Sequence, residues 1–220
     1  MKEERSLTQD AAGGGKATRI LPLLTDLIFV TIAIIVVLNY VRAILILSET
    51  PFMVIREVFF AAFQLAALIL LVIRKRANAF SGKKADYVYT VLGFSSPLFF
   101  QLTPSGGPFV IGASLEVIGL VLVVSAFLSL NRSFGLAPEN RGIKTGGVYR
   151  FVRHPMYLGY ILAEAGYVLD NFSTFNLFIW IISVLFLLLR LRAEERLLRQ
   201  DGAYMNYARK THWKLIPSVF

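Results

Sequence analysis

The chain has 220 residues, of which 56% are hydrophobic, and it carries 23 basic against 14 acidic side chains. This composition is too apolar for the surface of a water-soluble domain, and it predicts an integral membrane protein. Because cysteine is absent and histidine occurs only twice, disulfide frameworks, zinc fingers and thiolate nucleophiles are excluded, and no metal site is expected.

Six apolar segments predict membrane-spanning helices, since a span needs roughly 20 apolar residues to cross the hydrocarbon layer. A charged, Gly-rich tail over residues 1–20 precedes them and is expected to be disordered. In chain order the predicted spans are Leu21–Leu47, Phe52–Ile73, Tyr87–Leu102, Phe109–Leu130, Met156–Leu169 and Phe172–Leu189. The third contains Pro97, which removes one intrahelical hydrogen bond and is expected to kink the segment. Asp170 and Asn171 favour a tight turn, so the last two spans predict a helical hairpin.

The positive charges predict the orientation of these spans. With the N-terminus in the cytoplasm, 21 of the 23 basic residues fall on the cytoplasmic side, and only Arg42 and Arg56 lie opposite. Both termini are therefore predicted to be cytoplasmic. The membrane accounts for the basic balance, and nucleic-acid binding is not expected.

Residues 21–130 are interpreted as the packing helices 1–4, and residues 131–220 as the catalytic region, because a basic loop, the hairpin and a charged tail follow one another there. Pro155 is well placed to begin the fifth helix, directly after His154. Taken alone, Arg153 and His154 are equally well interpreted as membrane-interface anchors.

Two stripes run along the predicted fifth helix. The polar stripe consists of Tyr157, Tyr160, Glu164, Tyr167 and Asn171. The second stripe, of Gly159, Ala163 and Gly166, permits close packing against another helix. An acid within a span is costly, so Glu164 is expected to face a polar cavity.

Four elements of the last third carry a family resemblance. They are GVYRFVRHPMYLG (Gly147–Gly159), AEERLL (Ala193–Leu198), the pair Tyr204 and Tyr207, and LIP (Leu215–Pro217). In combination they resemble the isoprenylcysteine carboxyl methyltransferase family, whose wider group includes the phospholipid N-methyltransferases. The resemblance implies an all-α, multi-pass membrane enzyme in which the hairpin and the cytoplasmic tail form a pocket for S-adenosylmethionine. It also implies a lipidic small-molecule substrate that reaches this pocket from the bilayer.

The resemblance further implies site residues. Those expected to bind the cofactor are Ile143, Lys144, Tyr149, His154, Pro155, Met156, Tyr157 and Glu194. Arg190 is expected to face the acceptor, with Arg192 as the alternative if the helix register differs, and Arg153 and Glu195 complete the catalytic set. Independently of the family, acids, aromatic faces and a cation suit a cofactor that carries a sulfonium, an ammonium and a carboxylate.

Several activities stay open at this point. Carboxyl O-methylation of an isoprenylcysteine-like acceptor is favoured and needs no general base, whereas an amine acceptor would need one, with Glu164 or Glu195 as the candidates. An NADPH-dependent sterol-type reductase has a similar RHPxYxG-like element, and a cluster of arginines would suit its cofactor's 2'-phosphate. The arginines in question are Arg190, Arg192, Arg196 and Arg199. A non-enzymatic membrane component is the remaining alternative.

Overall fold

The computed structural model describes residues 16–46, 65, 67–69, 71–101, 103 and 110–219. Its named helices are α1 (Lys16–Ile46), α2 (Lys84–Ser95), α3 (Val110–Leu130), α4 (Pro155–Asp170), α5 (Thr174–Leu198) and α6 (Gly202–Lys210). Residues 67–69 and 71–73 are also helical. Two short strands, β1 (Ala79–Phe80) and β2 (Glu139–Asn140), pair antiparallel. The predicted helical class is therefore confirmed for these residues, with one small sheet in addition.

Among the described residues, three helices are long and apolar enough to cross a membrane. These candidate spans are Ile20–Asn39, Val110–Ser133 and Thr174–Leu198, and they coincide with the first, fourth and sixth predicted spans. The second predicted span and residues 1–15 of the predicted tail lie largely or wholly outside the described residues. The total of six spans and the orientation of the termini stay predictions.

Three of the described helix boundaries differ most from the prediction. Helix α1 begins at Lys16, inside the predicted tail, because no glycine or proline interrupts the chain after Gly15 until the first turn is formed. Helix α2 ends at Ser95, and a 3-10 turn that contains Pro97 follows, so the helix stops short of Leu102. Helix α5 continues past its apolar run to Leu198, because leucine, arginine, alanine and glutamate all favour helix. The predicted C-terminal tail therefore begins as a continuation of α5.

Helices α3 and α4 pack along a seam of small residues. A Cβ atom added to Gly119 of α3 would lie 2.6 Å from the Gly159 carbonyl oxygen and 2.5 Å from the Ala163 nitrogen of α4. One added to Gly166 would lie 2.6 Å from the Glu116 nitrogen. The two backbones are thus in direct contact, which confirms the predicted function of the small-residue stripe.

Helix α2 packs instead against α5. Gly93 faces Leu187, and at the end near β1 the Arg196 guanidinium donates to both carboxylate oxygens of Asp86, at 2.7 and 2.9 Å. The Asp86 side chain is buried and also accepts from the Ser81 hydroxyl. This ion pair fixes the start of α2 beside the end of α5.

Backbone hydrogen bonds attach the C-terminal segment to the start of α4. The Arg153 amide donates to the Trp213 carbonyl at 2.9 Å, and the His154 amide donates to the Lys214 carbonyl at 2.8 Å. The segment that follows α6 therefore folds back over the RHP element, and Pro155 begins α4 as predicted.

Replacing Gly119 with alanine tests the seam. We expect Gly119→Ala to lower the free energy of unfolding by about 1 to 3 kcal/mol, because the added methyl group meets backbone atoms that cannot move aside. Gly202→Ala is the matched control, since nothing lies within 4 Å of its added Cβ. Thermal unfolding of the detergent-solubilised proteins measures both. Equal melting temperatures for the two variants would contradict direct backbone contact.

Candidate active site

A pocket lies where the loop after α3, the start of α4, the end of α5 and α6 meet. Seven of the predicted cofactor residues line it, namely Ile143, Lys144, Tyr149, His154, Met156, Tyr157 and Glu194. Arg153 and Arg190 line it as well. Pro155 is not among the lining residues but is buried directly beside them as the first residue of α4. The structure thus brings residues as far apart in the sequence as Leu130 and Tyr207 into one cavity.

Tyr157, Glu194 and Arg190 form one wall of this pocket. The Tyr157 hydroxyl donates to Glu194 Oε2 at 2.6 Å. The Arg190 guanidinium lies 5.0 Å from the centre of the Tyr157 ring and 4.4 Å from that of Phe94. Because Arg190 and Glu194 are four residues apart on α5, both side chains lie on the same face of that helix.

Arg190 is a buried cation that has no anionic partner among the residues that the structure describes. Its side chain is only 3% exposed, and its Nε atom has no hydrogen-bond partner in the part of the chain that the structure describes. Aromatic faces compensate part of the cost of burial, but an isolated buried charge still requires an opposite charge to be fully stabilised. Arg192, the alternative candidate, is exposed and does not line the pocket.

Glu195 lies behind the pocket wall and binds four side chains. Its carboxylate accepts from Arg153 at 2.8 Å, from Arg199 at 3.3 Å and from the Tyr204 hydroxyl, and His154 Nε2 lies 2.8 Å from Oε1. Arg153 also donates to the carbonyls of Thr211 and His212. Arg153 and Glu195, two of the three residues predicted to be catalytic, are therefore bound to each other, and this geometry suits a positioning role.

Three tyrosines close the pocket on the side of α6. The Tyr207 hydroxyl donates to the Tyr149 carbonyl at 2.7 Å, and the rings of Tyr204 and Tyr207 meet edge to face. Burial raises the pKa of Tyr149, Tyr204 and Tyr207 above the usual range. All three hydroxyls are therefore protonated at neutral pH, and those of Tyr204 and Tyr207 donate hydrogen bonds.

Glu164 lies deeper between the helices and does not line the pocket. Ser96 donates to its Oε1 atom at 2.8 Å, and Ser183 donates to Ser96 at 3.1 Å. Its Oε2 atom is buried with no hydrogen-bond partner among the described residues. Glu164 was expected to face a polar cavity. Its polar surroundings are instead two serine hydroxyls between the helices, and its carboxylate does not contact the pocket.

Sequence reasoning missed two charged residues of the pocket, Glu139 and Arg141. They form a buried ion pair in which Arg141 Nε donates to Glu139 Oε2 at 2.8 Å. Burial raises the pKa of Glu139, and Arg141 opposes that rise. In the sequence this pair is visible only as an acid two residues before an arginine in an otherwise basic loop. Neither residue belongs to a helical or strand periodicity that would distinguish it from a surface residue.

Comparison with known families agrees with the location of this site. Residues 108–202 match the family described as phospholipid methyltransferase, which is the wider group that the RHPMY and EERLL elements resemble. The match begins just before α3 and ends at the first residue of α6, so it contains the whole pocket wall except Tyr204 and Tyr207. It indicates a membrane methyltransferase that acts on lipids. No curated protein sequence matches the chain significantly.

Glu195→Gln tests the positioning role of this carboxylate. Removing the charge leaves Arg153 buried without its counter-ion, so we expect a loss of about 3 kcal/mol in the free energy of unfolding. Glu194→Gln is the matched control on the next residue, and we expect it to change stability by less than about 1 kcal/mol, because Glu194 is partly exposed in the pocket. Denaturant unfolding in detergent compares the two; a larger loss for Glu194→Gln would refute the assignment.

Proposed function

We propose that the protein transfers the methyl group of S-adenosylmethionine to a carboxylate on a lipidic acceptor. The observation that carries this proposal is Arg190, a buried guanidinium at the pocket with no anionic partner among the described residues. The family match supports the reaction class, and the unpartnered cation supports an anionic acceptor. An isoprenylcysteine-like molecule, as the sequence resemblance implies, carries such a carboxylate next to a long apolar chain.

The residues at the pocket suit S-adenosylmethionine. Glu194 and Glu139 supply negative charge, while Tyr149 and Tyr157 supply aromatic faces for a cationic or planar group. When bound, the cofactor supplies a methyl group already activated by a positively charged sulfur. The protein's contribution is therefore to align the acceptor, to exclude water and to hold both partners at reacting distance.

Arg190 would bind and orient the acceptor carboxylate. A guanidinium presents N–H groups in a planar fork that matches two carboxylate oxygens, and the incoming charge would offset the burial of the cation. A carboxylate is ionised at neutral pH, so its oxygen attacks without losing a proton. The proposed reaction therefore needs no general base at the pocket.

The two proposed bases for an amine acceptor are poorly placed. Glu195 is bound by Arg153, His154 and Tyr204, and Glu164 lies outside the pocket beside Ser96. Phospholipid N-methylation is nevertheless the second candidate, because the matched family is described by that kind of substrate. In that case Arg190 would pair with the lipid phosphate, and Glu194 would be the nearest carboxylate to the amine.

The arginines that favoured a reductase do not converge on the pocket. Arg196 binds Asp86, Arg199 binds Glu195, and Arg192 is exposed. A single arginine of the four, Arg190, remains for a 2'-phosphate, and it lies against the rings of Phe94 and Tyr157. This arrangement favours the methyltransferase.

Arg190→Ala separates acceptor binding from cofactor binding. We expect turnover to fall by about tenfold or more, because losing a hydrogen-bonded charge typically costs about 1.5 to 3 kcal/mol, while affinity for S-adenosylhomocysteine changes only a few fold. Arg192→Ala is the matched control and should leave both nearly unchanged. Calorimetry and a methyl-transfer assay measure the two quantities. Loss of S-adenosylhomocysteine binding in Arg190→Ala alone would reverse this division of the site.

The chemical stability of the product identifies the acceptor group. Membranes containing the protein, supplied with methyl-labelled S-adenosylmethionine, should yield a labelled lipid that releases labelled methanol in mild alkali, as a methyl ester does. A methylated amine keeps its label under the same treatment. Membranes with Arg190→Ala provide the background. Alkali-stable label in the lipid fraction would establish N-methylation in place of the proposed O-methylation.

A further inference from the structure

Glu139 is a buried acid on the loop side of the pocket, and its two carboxylate oxygens differ in their contacts. It lies in β2 opposite Phe80, is 7% exposed, and accepts from Arg141 through Oε2. Its other oxygen, Oε1, is buried with no hydrogen-bond partner among the residues that the structure describes. Both Glu139 and Arg141 line the pocket. A buried acceptor without a donor is costly, and a ligand that donates a hydrogen bond to this oxygen would offset that cost.

The N-terminal half of the chain holds this ion pair in place. Arg141 donates through Nη1 to the Lys75 carbonyl, and the Asn78 amide donates to the Asn140 carbonyl at 2.6 Å. Arg74, which pairs with Asp26 of α1, lies close enough to Glu139 to lower its pKa. A separate part of the chain therefore holds the pair in a fixed position. Such support is what a preorganised binding group requires.

We propose that Glu139 accepts a hydrogen bond from the ammonium group of the methyl donor's amino-acid portion, with Arg141 beside the donor's carboxylate. This inference rests on the proposed function, which supplies the cofactor. An α-amino acid carries one charge of each sign on adjacent atoms, and the Glu139–Arg141 pair presents both complementary charges side by side. Arg141 has five N–H donors, and its bonds to Glu139 and Lys75 leave some of them for a carboxylate.

The two acids of the pocket then have different tasks. Glu194 shares its wall with Tyr157 and Arg190, where the acceptor binds on the proposed function. Glu139 lies on the loop side, away from this wall in sequence and attached to β1. A charged ammonium is the strongest donor that the cofactor offers to a buried carboxylate, whereas its ribose hydroxyls and adenine amine are neutral.

Two ligands separate this role from a purely structural one. S-adenosylhomocysteine carries the amino-acid portion, and 5'-methylthioadenosine is the same nucleoside thioether without it. In calorimetry on the full-length, detergent-solubilised protein, we expect Glu139→Gln to weaken S-adenosylhomocysteine binding by about tenfold or more. Binding of 5'-methylthioadenosine should change by less than about twofold, because that ligand has no ammonium to lose. Arg141→Gln should show the same selectivity.

The outcomes are distinct from those that test the proposed function. If Glu139→Gln weakened the binding of both ligands equally, Glu139 would only support the loop. If the binding of S-adenosylhomocysteine were unchanged, Glu139 would not contact the ammonium. Either result overturns the inference and leaves the proposed methyltransferase function intact. A wild-type protein that binds neither ligand overturns the proposed function and this inference together. Should Glu139→Gln fail to fold, Glu139→Asp keeps the charge, withdraws the carboxylate by one methylene and must show the same ligand selectivity.

Discussion

The pocket depends on one buried carboxylate. Glu195 binds Arg153 and His154 from the loop before α4 and Tyr204 from α6, so three separate parts of the chain meet at one side chain. The same contact sets the rotation of α5 about its axis. Because successive helical residues differ by about 100° in direction, a Glu195 that faces the loop turns Glu194, and with it Arg190 one turn earlier, toward the cavity. A structural ion pair thus determines which charged side chains face the pocket.

The sequence predicted those elements that depend on residue type and on spacing between residues close together in the chain. The small-residue stripe of α4, the start of that helix at Pro155 and the turn at Asn171 all follow from residue type and spacing. The end of α5 was placed too early, because a change from apolar to charged residues marks the limit of an apolar surface and not of a helix. The pairing of β1 with β2 could not be predicted, since two-residue strands have no periodicity and their register depends on contacts distant in sequence.

The site was predictable to the extent that a motif carried it. Motif matching named Tyr157 and Glu194, and the structure brings them into hydrogen-bond contact. The choice between Arg190 and Arg192 depended on helix register, and the structure buries Arg190 at the pocket while it exposes Arg192, which favours Arg190. Glu139 could not be predicted as a pocket residue, because a lone acid in a basic loop is ordinarily a solvated surface residue. Only tertiary burial makes its unpaired oxygen chemically significant.

The N-terminal helices were interpreted as packing material, and the contacts at their loop ends give them a second task. The loop that shapes the pocket between α3 and α4 has little regular structure of its own, so its conformation must be imposed from outside. Backbone bonds from Lys75, Asn78 and Ser81 impose it, while Asp86 ties the start of α2 to Arg196 on the pocket-forming helix. The loop side of the pocket is therefore shaped by residues outside the motif-bearing third. A substitution in this N-terminal half can therefore change the shape of the pocket without changing any residue that the motif identifies.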